Sequence, residues 1–454
     1  MPTLPLISHR DPDSIVAWRA GAAVTRRQFL SDVAQLAARF PAGAHLLNLC
    51  RDRYRFSAGL AAGIVSGKLS LLPSTHTPGV VRQIREFAPD VFCLTDSDSD
   101  TVDLPRFRYP DLEAAQSHTA AVPQIAHQQP VAVVFTSGSS GVPLPHAKTW
   151  GALVGCVQAE AGQLGLLQRA PCSLIGTVPP QHMYGFESTV LMAWHNGFAL
   201  GHAQPFYPAD ICAALAAVPA PRVLVSSPVH LRALLDSGLA IPELATVVCA
   251  TAPLSTPLAQ AIEKRCNAPL MEIYGSTETG QIATRRTALT AQWQLFPGIQ
   301  FERDGERMRA CGGHVETTAT LGDVIEPVGD GRFLLLGRIT DMINIAGKRH
   351  SLASLNHLLN TIPGVADGAF YMPDDADVGS AAAPERVRRL AACVVAPGLT
   401  AAQVLGALRQ HLDPVFLPRP LLFVGALPRN STGKLPREAL QALFCDRDVR
   451  SSHD

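Results

Sequence analysis

"VVFTSGSSGVPLPHAKTW" runs from Val133 to Trp150. Apolar β-branched and aromatic residues lead into six positions, Thr136 to Gly141, with almost no side chain to pack. A buried strand running into a Ser/Gly turn suits a phosphate. Glycine lets the backbone approach closely, successive N–H groups form an anion-binding nest, and the hydroxyls add donors. The spacing is wrong for a Walker A loop, since Lys148 follows Ala147 rather than Gly. It is wrong for a G-x-S-x-G nucleophile elbow, since Val142 stands where the last Gly is needed. The pattern read is strand, glycine-rich turn, helix.

Outward from this stretch, strand-length apolar runs alternate with amphipathic helical segments. "HLLNLC", "VAVVF", "CSLIGTV", "RVLVSS", "TVVCA" and "PLMEIY" read as buried strands. "TRRQFLSDVAQLAARF", "PADICAALAAV", "SPVHLRALLDSG" and "TPLAQAIEKRC" read as helices, the first with Thr25 as N-terminal punctuation. Continuous apolar strands between helices predict an α/β fold with parallel sheets covered on both faces. Past about residue 300, short strands with Gly turns predict a small antiparallel unit. From "SLASLNHLLNTIPGV" a helix–strand pattern returns. The expected organisation is a large body over 1–337 and a small α+β unit over 338–454. "DSDSD", Asp96 to Asp100, reads as a solvated loop.

With 38 basic and 38 acidic residues among 454, no nucleic-acid footprint is expected. The ten cysteines form no C-x-x-C pair and read as reduced thiols of a cytoplasmic protein. "SAGLAAGIVSGKLSLLP", Ser57 to Pro73, carries Lys68 and several glycines and falls short of a membrane span. The first residues lack a signal-peptide core.

Four further stretches follow in order: "IYGSTETG" (Ile273 to Gly280), "TLGD" ending at Asp323, "GRITDMINIAGKR" (Gly337 to Arg349) and "PRNSTGKLPRE" (Pro428 to Glu438). With the opening loop they resemble the core motifs of the adenylate-forming superfamily: acyl- and aryl-CoA synthetases, adenylation domains of nonribosomal peptide synthetases, and luciferases. The resemblance runs from about residue 45 to 440. It implies ATP- and Mg²⁺-dependent joining of a carboxylic acid to AMP with release of pyrophosphate, then transfer to a thiol. It also implies a small β-barrel-like part in the large domain and a mobile C-terminal lid.

By the same resemblance, Thr136, Ser137, Gly138, Ser139, Ser140 and Gly141 hold the β- and γ-phosphates. Glu278 carries Mg²⁺, and Thr277 donates to the α-phosphate. Tyr274 and Gly275 lie near adenine, with Ala250, Thr251 and Ala252 lining the adenine and acid site. Asp323 accepts from the ribose hydroxyls, backed by Arg338; Arg349 lies near phosphate or thiol substrate. Lys434 bridges the carboxylate and the α-phosphate. His182 gates the acid pocket. Met183, apolar where amino-acid-activating members tend to carry Asp, implies an acid without an α-amino group. Glu187 is nearby, its direction open.

The pattern is broken in three places. Leu144 stands where the family loop carries lysine, so that His146 or Lys148 is left to supply the charge. Thr340 occupies the hinge position, usually Asp or Lys. Only 45 positions separate Glu278 from Asp323, so the barrel-like part must be trimmed. A short chain with "KTW" after the loop is similar to ligases of aryl-polyene-type pathways, which implies an aromatic or unsaturated acid and an acyl carrier protein as acceptor, with coenzyme A the other acceptor. A degenerate nucleotide-binding homologue, or a transferase or hydrolase with a structural loop, are the competing readings.

Overall fold

The computed structural model describes residues 2–450 apart from 74, 99–101, 116–120, 138–142, 170, 306, 339–341, 346–347, 374–388 and 430–434. Two large sheets organise the first three hundred residues. The six-stranded sheet places His45–Asn48 between Leu69–Leu72 and Phe92–Thr95, all parallel. Pro130–Ser137 adds in parallel to Leu69–Leu72, and Pro143–Thr149 closes that edge in antiparallel sense. The eleven-stranded sheet has a parallel centre of Ser173–Gly176, Arg222–Ser226, Thr246–Cys249 and Leu270–Ser276. These four central strands are nearly continuous apolar runs, so both faces of their sheet are buried.

The helices lie where the 3.6-residue period put them. Arg26–Arg39 is capped by Thr25, whose hydroxyl accepts from Gln28 N at 3.2 Å. Pro208–Ala216, Pro228–Asp236 and Thr256–Cys266 follow their strands, each with a proline in the first turn, where its missing N–H costs nothing. The lipid-like stretch is divided between the buried helix Arg53–Val65 and the strand Leu69–Leu72. Among the described residues no helix is long and apolar enough to cross a membrane. The "DSDSD" stretch departs from a plain solvated loop. The Asp96 carboxylate accepts from Arg51 N at 2.9 Å and Asp52 N at 3.1 Å, fixing the entry to Arg53–Val65.

The antiparallel unit past residue 300 is an open three-stranded sheet, Ile299–Asp304, Arg307–Gly312 and Val315–Thr320. Asp323–Gly329 and Arg332–Arg338 join the far end of the eleven-stranded sheet. No closed barrel forms among the described residues; three short strands are too few to close one. Further on, Asp367–Tyr371, Ala391–Val395 and Leu421–Phe423 make a three-stranded sheet. It shares a core with the helices Leu352–Thr361 and Ala401–Arg409 through Leu355, Leu359, Phe370, Val394, Val404 and Leu408.

Candidate active site

Thr136, His182, Ala250 to Ala252 and Glu278 lie at or just past the carboxyl ends of parallel strands, where open α/β sheets place their ligands. Pro130–Ser137 carries Thr136 and Ser137 at its end. Gly138, Ser139, Ser140 and Gly141 lie outside the described residues. The chain then returns as a strand, Pro143–Thr149, and the helix begins only at Trp150, capped by Thr149. This corrects the strand–turn–helix reading. Pro145 cannot donate within a helix, and Leu144, His146 and Lys148 alternate with Pro145 and Ala147 at the period of a strand.

That alternation decides the chemistry of the corner. In the hairpin register Leu144 lies opposite Thr136, His146 opposite Val134 and Lys148 opposite Ala132. Leu144, His146 and Lys148 therefore share one face. His146 Nε2 lies 3.0 Å from Thr136 Oγ1 and 3.7 Å from Glu278 Oε1. Lys148, 8% exposed, donates from Nζ to the Glu278 carbonyl at 3.3 Å. Leu144 is 52% exposed.

Glu278 sits at the tip between the strands Leu270–Ser276 and Gly280–Arg285. Ser276 N donates to Thr279 Oγ1 at 3.1 Å and Thr279 N donates to Ser276 Oγ at 3.4 Å, locking the turn that presents Thr277 and Glu278. At Gly275, where the register slips, an added Cβ would lie 2.2 Å from the Gly280 carbonyl oxygen, so only glycine fits. The Glu278 side chain is 42% exposed. Partial burial works to raise its carboxyl. A hydrogen bond from Ser276, its own backbone amide and the His146 and Lys148 charges outweigh this and hold it below the usual range. It is an anionic group with the Lys148 ammonium and the His146 ring behind it and solvent in front.

Along the strand from the tip, the Tyr274 hydroxyl donates to Asp323 Oδ2 at 2.7 Å. The Tyr274 ring is braced by Trp293 and Phe333, with centroids 5.6 and 5.7 Å away. Asp323 and Arg338 are direct cross-strand partners. The strand Thr246–Cys249 delivers Ala250 to Ala252 at its carboxyl end, and Thr251 is held at φ +83°. That conformation is an outlier for a β-branched residue, costing about 1–3 kcal/mol, and such strain clusters at functional sites. Arg349 lies in the strand Lys348–Ser351 opposite Asn344. Thr340 and Lys434 fall outside the described residues.

His182 precedes the short helix Met183–Gly185 and donates its backbone N–H to Pro179 O at 3.2 Å. Behind it Glu187 is 1% exposed and accepts from Cys156 Sγ at 3.3 Å. Burial pushes the Glu187 carboxyl up to about 7, against the Lys148 charge and hydrogen bonds from Cys156 and Gln281. Glu160, one turn after Cys156 on the helix Trp150–Gln163, is fully buried and likewise raised by desolvation. With the Gln281 amide turned to satisfy its neighbours, it donates to both Glu160 oxygens, at 2.9 and 3.1 Å, and accepts from Ser188 Oγ at 2.8 Å. A cavity of about 50 Å³ opens among Lys148, Met183, Glu187, Glu278, Gly280 and His314. The His314 imidazole is pushed down to about 4 by burial and so is neutral. Sequence reasoning missed Cys156, Glu160, Gln281 and His314. The one available signal was a glutamate on the buried face of an otherwise apolar helix. A larger cavity of about 780 Å³ lies at the amino ends of the strands beside His9 and His195, and holds none of the residues singled out.

The geometry has counterparts among known proteins. The chain is 29% identical to the 4-coumarate–CoA ligase of Rhodobacter capsulatus over 328 residues, 71% of this chain and 77% of that one. It is 32% identical to the 4-coumarate–CoA ligase of Halorhodospira halophila over 309 residues, 66% of this chain and 73% of that one. In fold it matches the o-succinylbenzoate CoA synthetase of Bacillus subtilis in complex with its acyl-adenylate intermediate. That match has a TM-score of 0.79 at 19% identity, covering 94% of this chain and 95% of the other. The same Bacillus enzyme in complex with ATP and magnesium ion matches at 0.77. Residues 61–318 match the family described as AMP-binding enzyme. The chain belongs to that family.

Proposed function

We propose that this protein is an AMP-forming acid–thiol ligase. A carboxylate oxygen of the substrate attacks the α-phosphorus of ATP, the bond to pyrophosphate breaks, and a thiol then displaces AMP from the acyl carbon. The observation that carries the reading is the convergence of His146 and Lys148 on the Glu278 turn, with the Tyr274–Asp323 pair farther along the same strand. Two anions must meet for the first step, so cationic and donor groups have to stand where charge builds. Thr136 and Thr277 add donors at that edge. Asp323 and Arg338 take the ribose, and the strained Ala250–Ala252 loop takes the adenine and acid.

Glu278 fits a magnesium site by its chemistry: a half-exposed carboxylate kept ionised by its neighbours. Mg²⁺ asks for one or two carboxylates plus phosphate oxygens and water. When bound, the ion neutralises phosphate charge; the protein's part is to hold Glu278 at the tip through Ser276 and Thr279. The acid is aryl or unsaturated or fatty acyl, not an amino acid, because the buried Met183 follows His182 and offers nothing to an ammonium. Coenzyme A is the acceptor that the ligase relatives support. A phosphopantetheinyl carrier protein is the other thiol of the same chemistry. The free thiols among the described cysteines suit a reducing, cytoplasmic setting.

Residues 1–337 and 338–454 act in this reading as body and lid, turning at Thr340, and Lys434 on the lid serves only the first step. ATP–pyrophosphate exchange across a panel of carboxylic acids tests it, with acid-dependent exchange expected. Lys434→Ala removes a fixed charge from the transition state and should cost two or more orders of magnitude in acid-dependent pyrophosphate release. Given preformed acyl-adenylate and thiol, it should still make thioester at a near-natural rate. Thr340→Pro should do the reverse. Equal loss of both half-reactions in Lys434→Ala would overturn the alternation of the two parts.

A further inference from the structure

We propose that the cavity of about 780 Å³ at the amino ends of the strands is a second ligand site, shaped for a monocarboxylate with an apolar chain or ring. It shares no lining residue with the site described above and does not rest on the ligase reading. Ile15, Ser173 and Ala199 stand in its wall, each the first residue of one of three neighbouring parallel strands. Ala250 and Glu278 follow the opposite, carboxyl, ends of strands in the same sheet. The volume falls within the roughly 300–1,000 Å³ of small-molecule sites.

The lining selects the ligand by charge. Arg10 is exposed and has no ion pair among the described residues, and no Asp or Glu joins it in the wall. One guanidinium matches one carboxylate through paired N–H···O bonds, whereas a phosphate dianion calls for more cation than stands here. The Arg10 carbonyl accepts from the buried Arg26 guanidinium, which fixes the backbone that carries the charge. Trp18, Leu167 and Pro219 give the wall apolar surface for the rest of the molecule. Two histidines in the same wall are incomplete. His9 and His195, 5% and 4% exposed, keep Nδ1 and Nε2 respectively without a hydrogen-bond partner, and a buried polar atom left so needs an explanation. Burial pushes both imidazoles down, His195 to about 3, so both are neutral at pH 7. His9 Nε2 faces the Phe198 carbonyl at 3.1 Å and so carries its proton there. His195, edge-on to Trp150 at 5.0 Å, is the ring with a proton left to give to a carboxylate oxygen.

Equilibrium dialysis of the full chain with radiolabelled decanoate, in the absence of ATP, measures binding, and tryptophan emission reports occupancy from inside the wall. Decanoate should bind and change the emission, and Trp18→Phe should remove most of that change. Arg10→Glu reverses the charge at an exposed position and should weaken decanoate by about 10-fold or more, leaving ATP–pyrophosphate exchange as in the wild type. His195→Phe keeps a ring against Trp150 and removes the unpartnered nitrogen. It should hold or raise the urea midpoint while weakening decanoate by about 3-fold or more, whereas a purely structural histidine would lose stability and leave binding alone. Decanol, the same chain without the charge, should compete about 10-fold less well, and inorganic phosphate less well still. No binding up to about 1 mM, equal competition by decanol, or an emission change that persists in Trp18→Phe overturns the assignment. Binding unaltered in Arg10→Glu also overturns it and sends the acid to the reaction site. The ligase reading is untouched by any of these results, since acid-dependent exchange alone decides it.

Discussion

Two carboxylates of one corner have been driven in opposite directions. Glu278, at the rim, is 42% exposed and held below the ordinary range. Glu187, on the floor behind it, is buried and raised to about 7. Lys148 faces both, touching the backbone of the first and lowering the second by its charge. The difference is one of solvent and donors. Glu278 keeps water in front and gains a Ser276 hydrogen bond; Glu187 loses water and gains a thiol and an amide. Environments that push paired acids apart assign them different work. A permanently ionised rim group suits a cation, and a floor group near neutrality suits a hydrogen bond.

The largest effect should come from neutralising the rim. Glu278→Gln leaves a turn held by Ser276 and Thr279, so the fold should persist. Loss of a charge aimed at Mg²⁺ and phosphate should lower adenylation by two or more orders of magnitude, about 3 kcal/mol or more. Initial rate against Mg²⁺ concentration checks it, with saturation expected at higher metal. An unchanged rate and metal dependence would remove Glu278 from the metal site and dissolve the contrast.

The floor gives the next effect, and it is one of stability. A carboxyl raised in the folded protein binds its proton more tightly there than in the unfolded chain. Its stabilising contribution is full below the unfolded value near 4.5 and is lost as pH rises through about 7. Over that window the loss is about 3 kcal/mol. Glu187→Gln has no proton to exchange, so its unfolding free energy should fall by that much less between pH 4.5 and pH 8 than the wild type's. Glu160 shifts the same way but remains in both proteins. Urea titrations at the two pH values measure the difference, and identical pH slopes would show that Glu187 is an ordinary carboxyl.

Between rim and floor stands Lys148. Lys148→Ala should raise the KM for ATP roughly 10-fold, about 1.4 kcal/mol, if this lysine supplies the charge absent at Leu144. An unaltered KM sinks that compensation.

The sheets were legible because each central strand is a continuous apolar run, and the helices between them carry caps and leading prolines. "YGSTETG" was legible only as a motif; that it forms a tight turn, with Gly275 where no other residue fits, is visible in the structure alone. The hairpin after the Ser/Gly loop was not legible, since reading the loop by analogy to helix N-termini hid the strand period of Leu144, His146 and Lys148. The floor was least legible. Cys156, Glu160, Glu187, Ser188, Gln281 and His314 come from the helix, the segment behind His182, the antiparallel strand and a distant turn. No local period links them, and only tertiary packing brings them together.

The smallest effect should come from restoring the lysine at position 144. Leu144 is half exposed at the hairpin edge, so Leu144→Lys should change stability by less than about 0.5 kcal/mol. It shares its face with His146 and Lys148, two positions apart along the strand, so a new ammonium would point at the same side of the corner. With an exposed side chain the gain is that of a solvated ion contact, weakened by salt, and His146 and Lys148 already occupy the inner part of that face. The KM for ATP should therefore fall only about 2- to 4-fold at low ionic strength, and the gain should vanish near 0.5 M salt, where the screening length is only about 4 Å. Combined with Lys148→Ala, the same substitution should recover part of the lost ATP affinity. A gain in the wild type as large as the loss in Lys148→Ala would mean that the natural corner lacks a phosphate cation altogether, and that Lys148 belongs to the floor rather than to the rim.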